Sequence, residues 1–192
     1  MAGAGTLQIS RFDPDGREVA GFRDRMLATI GILLGKPRGR AVIAEIRTRG
    51  RLLNIVPDRL MDPAPRQPSA AGPDTLRDRT RGLAPPNGNG LASDSTVRIP
   101  PDLDDSKLVA LDVNGEPLRT PLFEILGHEL GHVLHNAQGL NRAGETPSHP
   151  SFRNREEENT DDIENAIRAE HGLAGSRFHH GSRRRRATDV TP

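Results

Sequence analysis

The stretch from Pro121 to Gly139 constrains the fold more than any other part of the chain. Leu122, Phe123, Ile125, Leu126, Leu130, Val133 and Leu134 recur at helical spacing and cover more than one side, so this helix must be enclosed by other elements. Thr120 is the expected N-cap, Pro121 the first helical residue and Gly139 the stop. The material for enclosing it is limited. Apolar residues make up 33% of the 192, with 20 Gly, 16 Pro and no Trp, Tyr or Cys. The core is therefore aliphatic, with modest burial per residue.

Upstream, Leu7 to Phe12 reads as a short strand ended by the turn signal Asp13-Pro14-Asp15-Gly16. Val19, Phe22, Met26, Ile30, Leu33 and Leu34 then predict a helix from about Arg17 to Leu34, stopped by Gly35-Lys36-Pro37. A second helix fits Arg40 to Thr48, and Leu52 to Val56 reads as a buried strand. Between Met61 and about Ser95 proline and glycine alternate with polar residues and periodicity is lost, which predicts a long flexible insert. Thr96–Ile99, followed by Pro100-Pro101, has the look of a short edge strand. A further strand or turn covers Val109 to Val113, and a last helix runs from about Asn154 through Ala169. The expected organisation is 1–60 as the N-terminal part of one domain, 61–95 as the insert, 96–180 as the catalytic core and 181–192 as a basic disordered tail. The fold class is α+β: a zincin-like core with an active-site helix, a C-terminal ligand-bearing helix and a small sheet.

Within the enclosing helix lies His128-Glu129-Leu130-Gly131-His132. Residues four apart on a helix are neighbours, so both imidazoles can reach one ion, and Glu129 projects beside them as a general base. With no cysteine, the ligands of such an ion are His and carboxylate, and Zn(2+) is the cation this pattern suits. Gly131 leaves room between the ligands for a strand or substrate to approach. The metzincin extension needs Gly at 135 and His at 138; His135 and Gln138 stand there instead, which excludes that class. One straight helix does not easily aim a third side chain at the same ion, so His135 is read as a packing or orienting histidine.

The third ligand is expected from the acidic final helix, where most carboxylates make a solvated face. Glu157, Thr160, Glu164 and Arg168 fall in one stripe beside Ile163, Ala166 and Ile167, which favours Glu157 over Glu156. Glu164, Asn165 and Arg168 are then groups that orient the ligands.

Thr120-Pro121-Leu122-Phe123 leading into Leu126–His135, together with Glu156–Thr160, Glu164-Asn165 and Ile167–Leu173, resembles the NleD-type effector metallopeptidases of bacterial type III secretion. The resemblance covers roughly Leu108 to Phe178. It implies a zinc endopeptidase secreted into the host-cell cytoplasm, where relatives cut signalling kinases, with a host protein as substrate and a secretion chaperone as a further partner. The family usually follows Gly-Leu with an Arg and then a Tyr that stabilises the oxyanion. Here Gly172-Leu173 precedes Arg177-Phe178-His179-His180, so Arg177, with His180 or His179 as a substitute donor, is the candidate for that role. The alternatives are a degenerate effector that binds without cutting, or a binding module pinned by zinc.

A formal net charge of +1 and an Arg183–Arg186 run with no aromatic interleaving make nucleic acid a distant alternative. No apolar run approaches the roughly eighteen residues that span a bilayer, and Met1–Thr6 lacks a basic-then-apolar leader, so a soluble chain exported by another signal is expected.

Overall fold

A computed structural model describes residues 5–58, 74–77, 81–85, 88–103, 109–112, 117–150, 152–173 and 175. Within them the chain forms, in order, β1 (Thr6–Ile9), α1 (Phe22–Leu34), α2 (Pro37–Thr48), β2 (Leu52–Pro57), β3 (Asp74–Arg77), β4 (Ser95–Ile99), β5 (Val109–Leu111), β6 (Pro117–Arg119), α3 (Leu122–Gln138) and α4 (Arg155–Glu170). The fold is α+β, with a four-stranded sheet in the order β1-β2-β4-β3 and a separate β5-β6 pair. β1, β2 and β4 are parallel, in a register that sets Ile9 beside Ile55 and Ile55 beside Val97. β3 runs antiparallel to β4.

Alternation along β2 and β4 buries Leu53, Ile55, Val97 and Ile99, and these meet Met26, Ile30 and Leu33 of α1, Val42 and Ile46 of α2, and Leu126, Leu130 and Val133 of α3. The core is aliphatic, as the composition requires. α3 is buried at nearly every position from Leu122 to Leu134, which is the enclosure that its all-round apolar pattern demands.

Several expectations are corrected. α1 starts at Phe22 rather than near Arg17, because the Asp13 carboxylate accepts the Asp15 and Arg17 amides and holds 13–17 as a turn, after which Gly21 adopts φ 72°. Pro37 opens α2 instead of only ending α1: Lys36 is extended and Pro37 takes the first helical position, where a missing N–H costs nothing. β4 is an interior strand, not an edge, since Pro100 and Pro101 follow it without interrupting its pairing to β2 and β3. β3 lies inside the stretch read as an insert without regular structure; four residues of Asp-Thr-Leu-Arg are too short for periodicity to register. At the head of α3 the extended residue is Pro121 itself, and the Thr120 hydroxyl donates to the Leu118 carbonyl (3.2 Å) rather than capping the helix. The basic tail, 181–192, lies outside the described residues.

The α3–α4 contact positions the site. A Cβ placed on Gly131 would meet Thr160 Cγ2 at 2.6 Å and Ile163 Cδ1 at 3.3 Å, and one on Gly127 would meet Ile167 Cδ1 at 2.6 Å. The two glycines, one turn apart, let α4 settle against the α3 backbone. The space that Gly131 leaves is therefore filled by α4, not by a strand or substrate. Gly131→Ala is expected to destabilise the fold, because overpacking of about 1–3 kcal/mol outweighs the roughly 1 kcal/mol that alanine gains in helix propensity. Thr160→Ser, which removes the clashing methyl and keeps the hydroxyl, should restore part of the loss. Calorimetric melting of the two single variants and the double variant checks this; strictly additive effects would show that the contact is not the cause.

Candidate metal centre

The ligand atoms available to a metal ion in His128, His132 and Glu157 all lie within 4.8 Å of one another. His128 and His132 stand one turn apart on α3, and their Nε2 atoms face each other at 3.0 Å. Glu157 lies in the first turn of α4, with Oε2 3.4 Å from His128 Nε2 and 3.6 Å from His132 Nε2. A tetrahedral ion with bonds of about 2.0–2.1 Å needs ligand–ligand edges of about 3.3 Å. The three observed edges bracket that length.

The far sides of the rings decide their chemistry. His128 Nδ1 lies 2.9 Å from Glu164 Oε2. His132 Nδ1 lies 3.0 Å from Glu156 Oε1 and 3.2 Å from the Thr160 hydroxyl. A carboxylate only accepts, so the proton of each ring belongs at Nδ1, and each imidazole, once neutral, presents its Nε2 lone pair inward. Two lone pairs at 3.0 Å repel unless a proton or a cation lies between them. The donor set thus fits a divalent cation of borderline softness held by two imidazoles and one carboxylate.

The surrounding charge has the same sense. Burial alone would lower both imidazoles, but hydrogen bonds to Glu157 and Glu164 raise His128, and hydrogen bonds to Glu156 and Glu157 raise His132 to about 10. Burial would raise the two carboxyls in turn; hydrogen bonds from His132 and His135 hold Glu156 down at about 2, and those from His128 and His132 hold Glu157 far below the ordinary carboxylate range. Glu129 is buried, and its charge contributes to raising His132. Without metal the pocket gathers protons in place of a cation.

The backbone around Glu157 is fixed on both flanks. Asn154 caps α4, its side chain accepting the Glu157 amide at 3.0 Å. Glu156 Oε2 accepts the Arg142 amide (3.0 Å) and Glu158 Oε2 the Ser148 amide (2.7 Å). The segment joining the two helices is therefore tied to the residues on either side of the third carboxylate.

Of the residues singled out in the sequence, His128, His132 and Glu157 come together, with Glu129 buried beside them. Glu156, the other candidate, stands behind His132, away from the facing Nε2 atoms, and also takes His135 Nδ1 at 2.7 Å. Glu164 backs His128. Asn165 donates to Asp161 (2.8 Å), and Arg168 pairs with Glu124 instead of a ligand. Arg177, His179 and His180 lie outside the described residues. Glu124 is the buried acid that sequence reasoning passed over. Its signal was present: a carboxylate in an apolar run, one turn before His128 on the same face.

No known family matches this sequence, and no curated protein matches it. Among solved structures it is similar to the Clostridium botulinum neurotoxin serotype F light chain, at 17% identity and a TM-score of 0.42, over 70% of this chain and 41% of that one. The chain thus spans well under half the length of that neighbour.

The raised His132 sets the pH response of the metal-free protein. A folded-state value above the unfolded 6.5 means that the proton is held more tightly in the native protein, so this contribution is complete below pH 6.5 and is lost as pH rises towards about 10. The depressed Glu156 acts in the opposite sense: its contribution is complete above pH 4.5 and is lost as pH falls towards about 2. Melting temperatures of metal-free protein should therefore fall on the acid side below about pH 4.5 and decline on the alkaline side, where His128 and the buried Glu124, raised to about 8, act in the same sense as His132, so that His132→Ala should lessen the alkaline decline without abolishing it. Because bound imidazoles must be neutral, zinc uptake should release protons and tighten with pH, which calorimetry in buffers of different ionisation enthalpy measures.

Proposed function

We propose that this chain is a zinc-dependent endopeptidase whose metal is held by His128, His132 and Glu157, with Glu129 as general base. The observation that carries the reading is the pair of imidazoles with both Nδ1 atoms on carboxylates and both Nε2 atoms facing each other beside a third carboxylate. Zinc there would supply Lewis acidity towards a scissile carbonyl and make water acidic enough to attack near neutral pH. Glu129 takes the proton from the attacking water and returns it to the departing amine nitrogen, which gives balanced hydrolysis of the peptide bond. Arg177 and His180 are assigned to the developing oxyanion, in the place where the resembled family has a tyrosine.

The sequence blocks around the two helices support the finer reading of a secreted bacterial effector that acts in the host-cell cytoplasm on a signalling protein, with a chaperone as a transient partner. Competing with it is a degenerate effector that binds its target uncut, favoured by the absence of tyrosine from the whole chain. No described helix is long and apolar enough to cross a membrane.

Glu129→Ala should keep stoichiometric zinc and lose peptide hydrolysis by a factor of at least about 10², whereas Glu157→Ala should lose zinc as well. Incubating the zinc-loaded protein with host-cell lysate and sequencing new peptide termini, with Glu129→Ala as control, tests the peptidase assignment. Identical termini from the two proteins would leave the binding-only reading in its place.

A further inference from the structure

The outward face of α1 lacks the polar side chains that normally meet water on a surface helix. Between Arg25 and Lys36 the chain carries no charged side chain, and its one hydroxyl there, on Thr29, is buried and donates to the Arg25 carbonyl (2.8 Å). Phe22, Met26, Ile30 and Leu33 take the inner face. The outer face over the last turns is then Leu27, Ala28, Gly31, Ile32, Leu34 and Gly35, all exposed. Leu27 and Ile32 are each 47% exposed and Leu34 is 41% exposed. A Cβ added to Gly31 would meet nothing within 4 Å, so none of the described residues fills the space above it. A helix that is apolar on every side is ordinarily covered on every side.

Basic side chains frame this face. Arg23 stands one turn before Leu27, and Lys36 follows the helix end. Arg40 of α2 donates Nη1 to the Leu34 carbonyl (3.0 Å), which sets its guanidinium beside that residue. All three cations are exposed, and Asp24 is the one acid of α1. From Arg23 to Arg51 the chain has eight Lys and Arg against Asp24 and Glu45, in a molecule of formal net charge +1, so the remainder is net acidic. Three half-exposed aliphatic side chains fall well short of the about 800 Å² per partner that a stable protein interface takes. They match what holds an amphipathic helix in a lipid headgroup layer: a few apolar side chains inserted, with lysine and arginine at the level of the phosphates.

We propose that the outer face of α1 docks on an anionic lipid bilayer: Leu27, Ile32 and Leu34 enter the headgroup layer, and Arg23, Lys36 and Arg40 meet the negative headgroups. The helix lies along the surface, since its 13 residues are too few to cross a bilayer. Its inner face stays packed in the core with Ile55 and Leu126, so docking leaves the fold closed. Attraction between the basic rim and the headgroups weakens as salt is added. Nothing in this inference requires a metal at the candidate centre, and it is tested apart from it.

The chain has no Trp, so Leu27→Trp places a single fluorophore on the face, and Leu140→Trp places one at an exposed leucine just after α3. With vesicles of phosphatidylcholine mixed with phosphatidylserine, the emission of Leu27→Trp should move to shorter wavelength and that of Leu140→Trp should not. Co-sedimentation of the unaltered chain with these vesicles should exceed that with phosphatidylcholine alone by at least about tenfold. It should fall by a similar factor, at least about tenfold, in a triple variant carrying Leu27→Gln, Ile32→Gln and Leu34→Gln, and in another carrying Arg23→Gln, Lys36→Gln and Arg40→Gln. Melting temperatures of both should stay near wild type, since only exposed side chains change; should either melt early, the two tryptophan proteins still decide the question. An unaltered chain that stays in the supernatant, or an unchanged Leu27→Trp spectrum, overturns the proposal. So does wild-type binding by the apolar triple variant. A dimer seen by light scattering without lipid, and dissolved by that variant, would give the face to a second copy of the chain instead.

Discussion

Everything around the two α3 histidines depends on one arrangement of lone pairs. An imidazole whose Nδ1 proton is committed to a carboxylate has only Nε2 left to offer. Here two such rings are turned inward to 3.0 Å, and a third acceptor, Glu157 Oε2, stands within 3.6 Å of both. Such a cluster is stable only around positive charge. Four carboxylates, Glu129, Glu156, Glu157 and Glu164, supply the field that keeps it there, and the enclosure of α3 keeps water from screening that field.

The fold delivers this by close approach. Gly127 and Gly131 strip one face of α3 to backbone, and Thr160, Ile163 and Ile167 of α4 occupy the room they leave. The acids of α4 are thereby sorted by small differences in angle. Glu157 meets the inner nitrogens, Glu156 and Glu164 meet the outer ones, and Asp162 remains in solvent. The sheet and α1–α2 supply the apolar bed on which α3 rests, and they contribute no ligand to the group.

The sequence makes some of this legible and hides the rest for identifiable reasons. His128, Glu129 and His132 are visible because a single helix sets their spacing, and the shared face of Glu157 and Glu164 follows from the same rule applied to α4. The Glu156 contacts with His132, His135 and the Arg142 amide are not readable, because they depend on how α4 sits against α3 and on the course of the intervening segment. The role of Gly131 could be read only as a need for space. That α4 fills the space is a tertiary fact. Pairing of β3 with β4 is likewise a non-local event, which no local pattern in Asp74–Arg77 announces. Glu124 was overlooked for the opposite reason: its position is plainly on the ligand face, but a lone acid in an apolar run has a meaning only once its neighbours Arg168 and Glu164 are known.

The helical hairpin has one more consequence, which concerns the order of events when the chain folds. All three candidate ligands fall between His128 and Glu157, on adjacent helices joined by one connection. The parallel strands, by contrast, must bring Thr6 next to Leu52 and Leu53 next to Ser95. Closing the shorter loop costs less entropy, and contacts close in sequence form faster than distant strand pairing. The hairpin that carries the candidate ligands thus has a shorter search than the parallel sheet. A cation captured at that stage would act as a template on which the slower sheet is laid down.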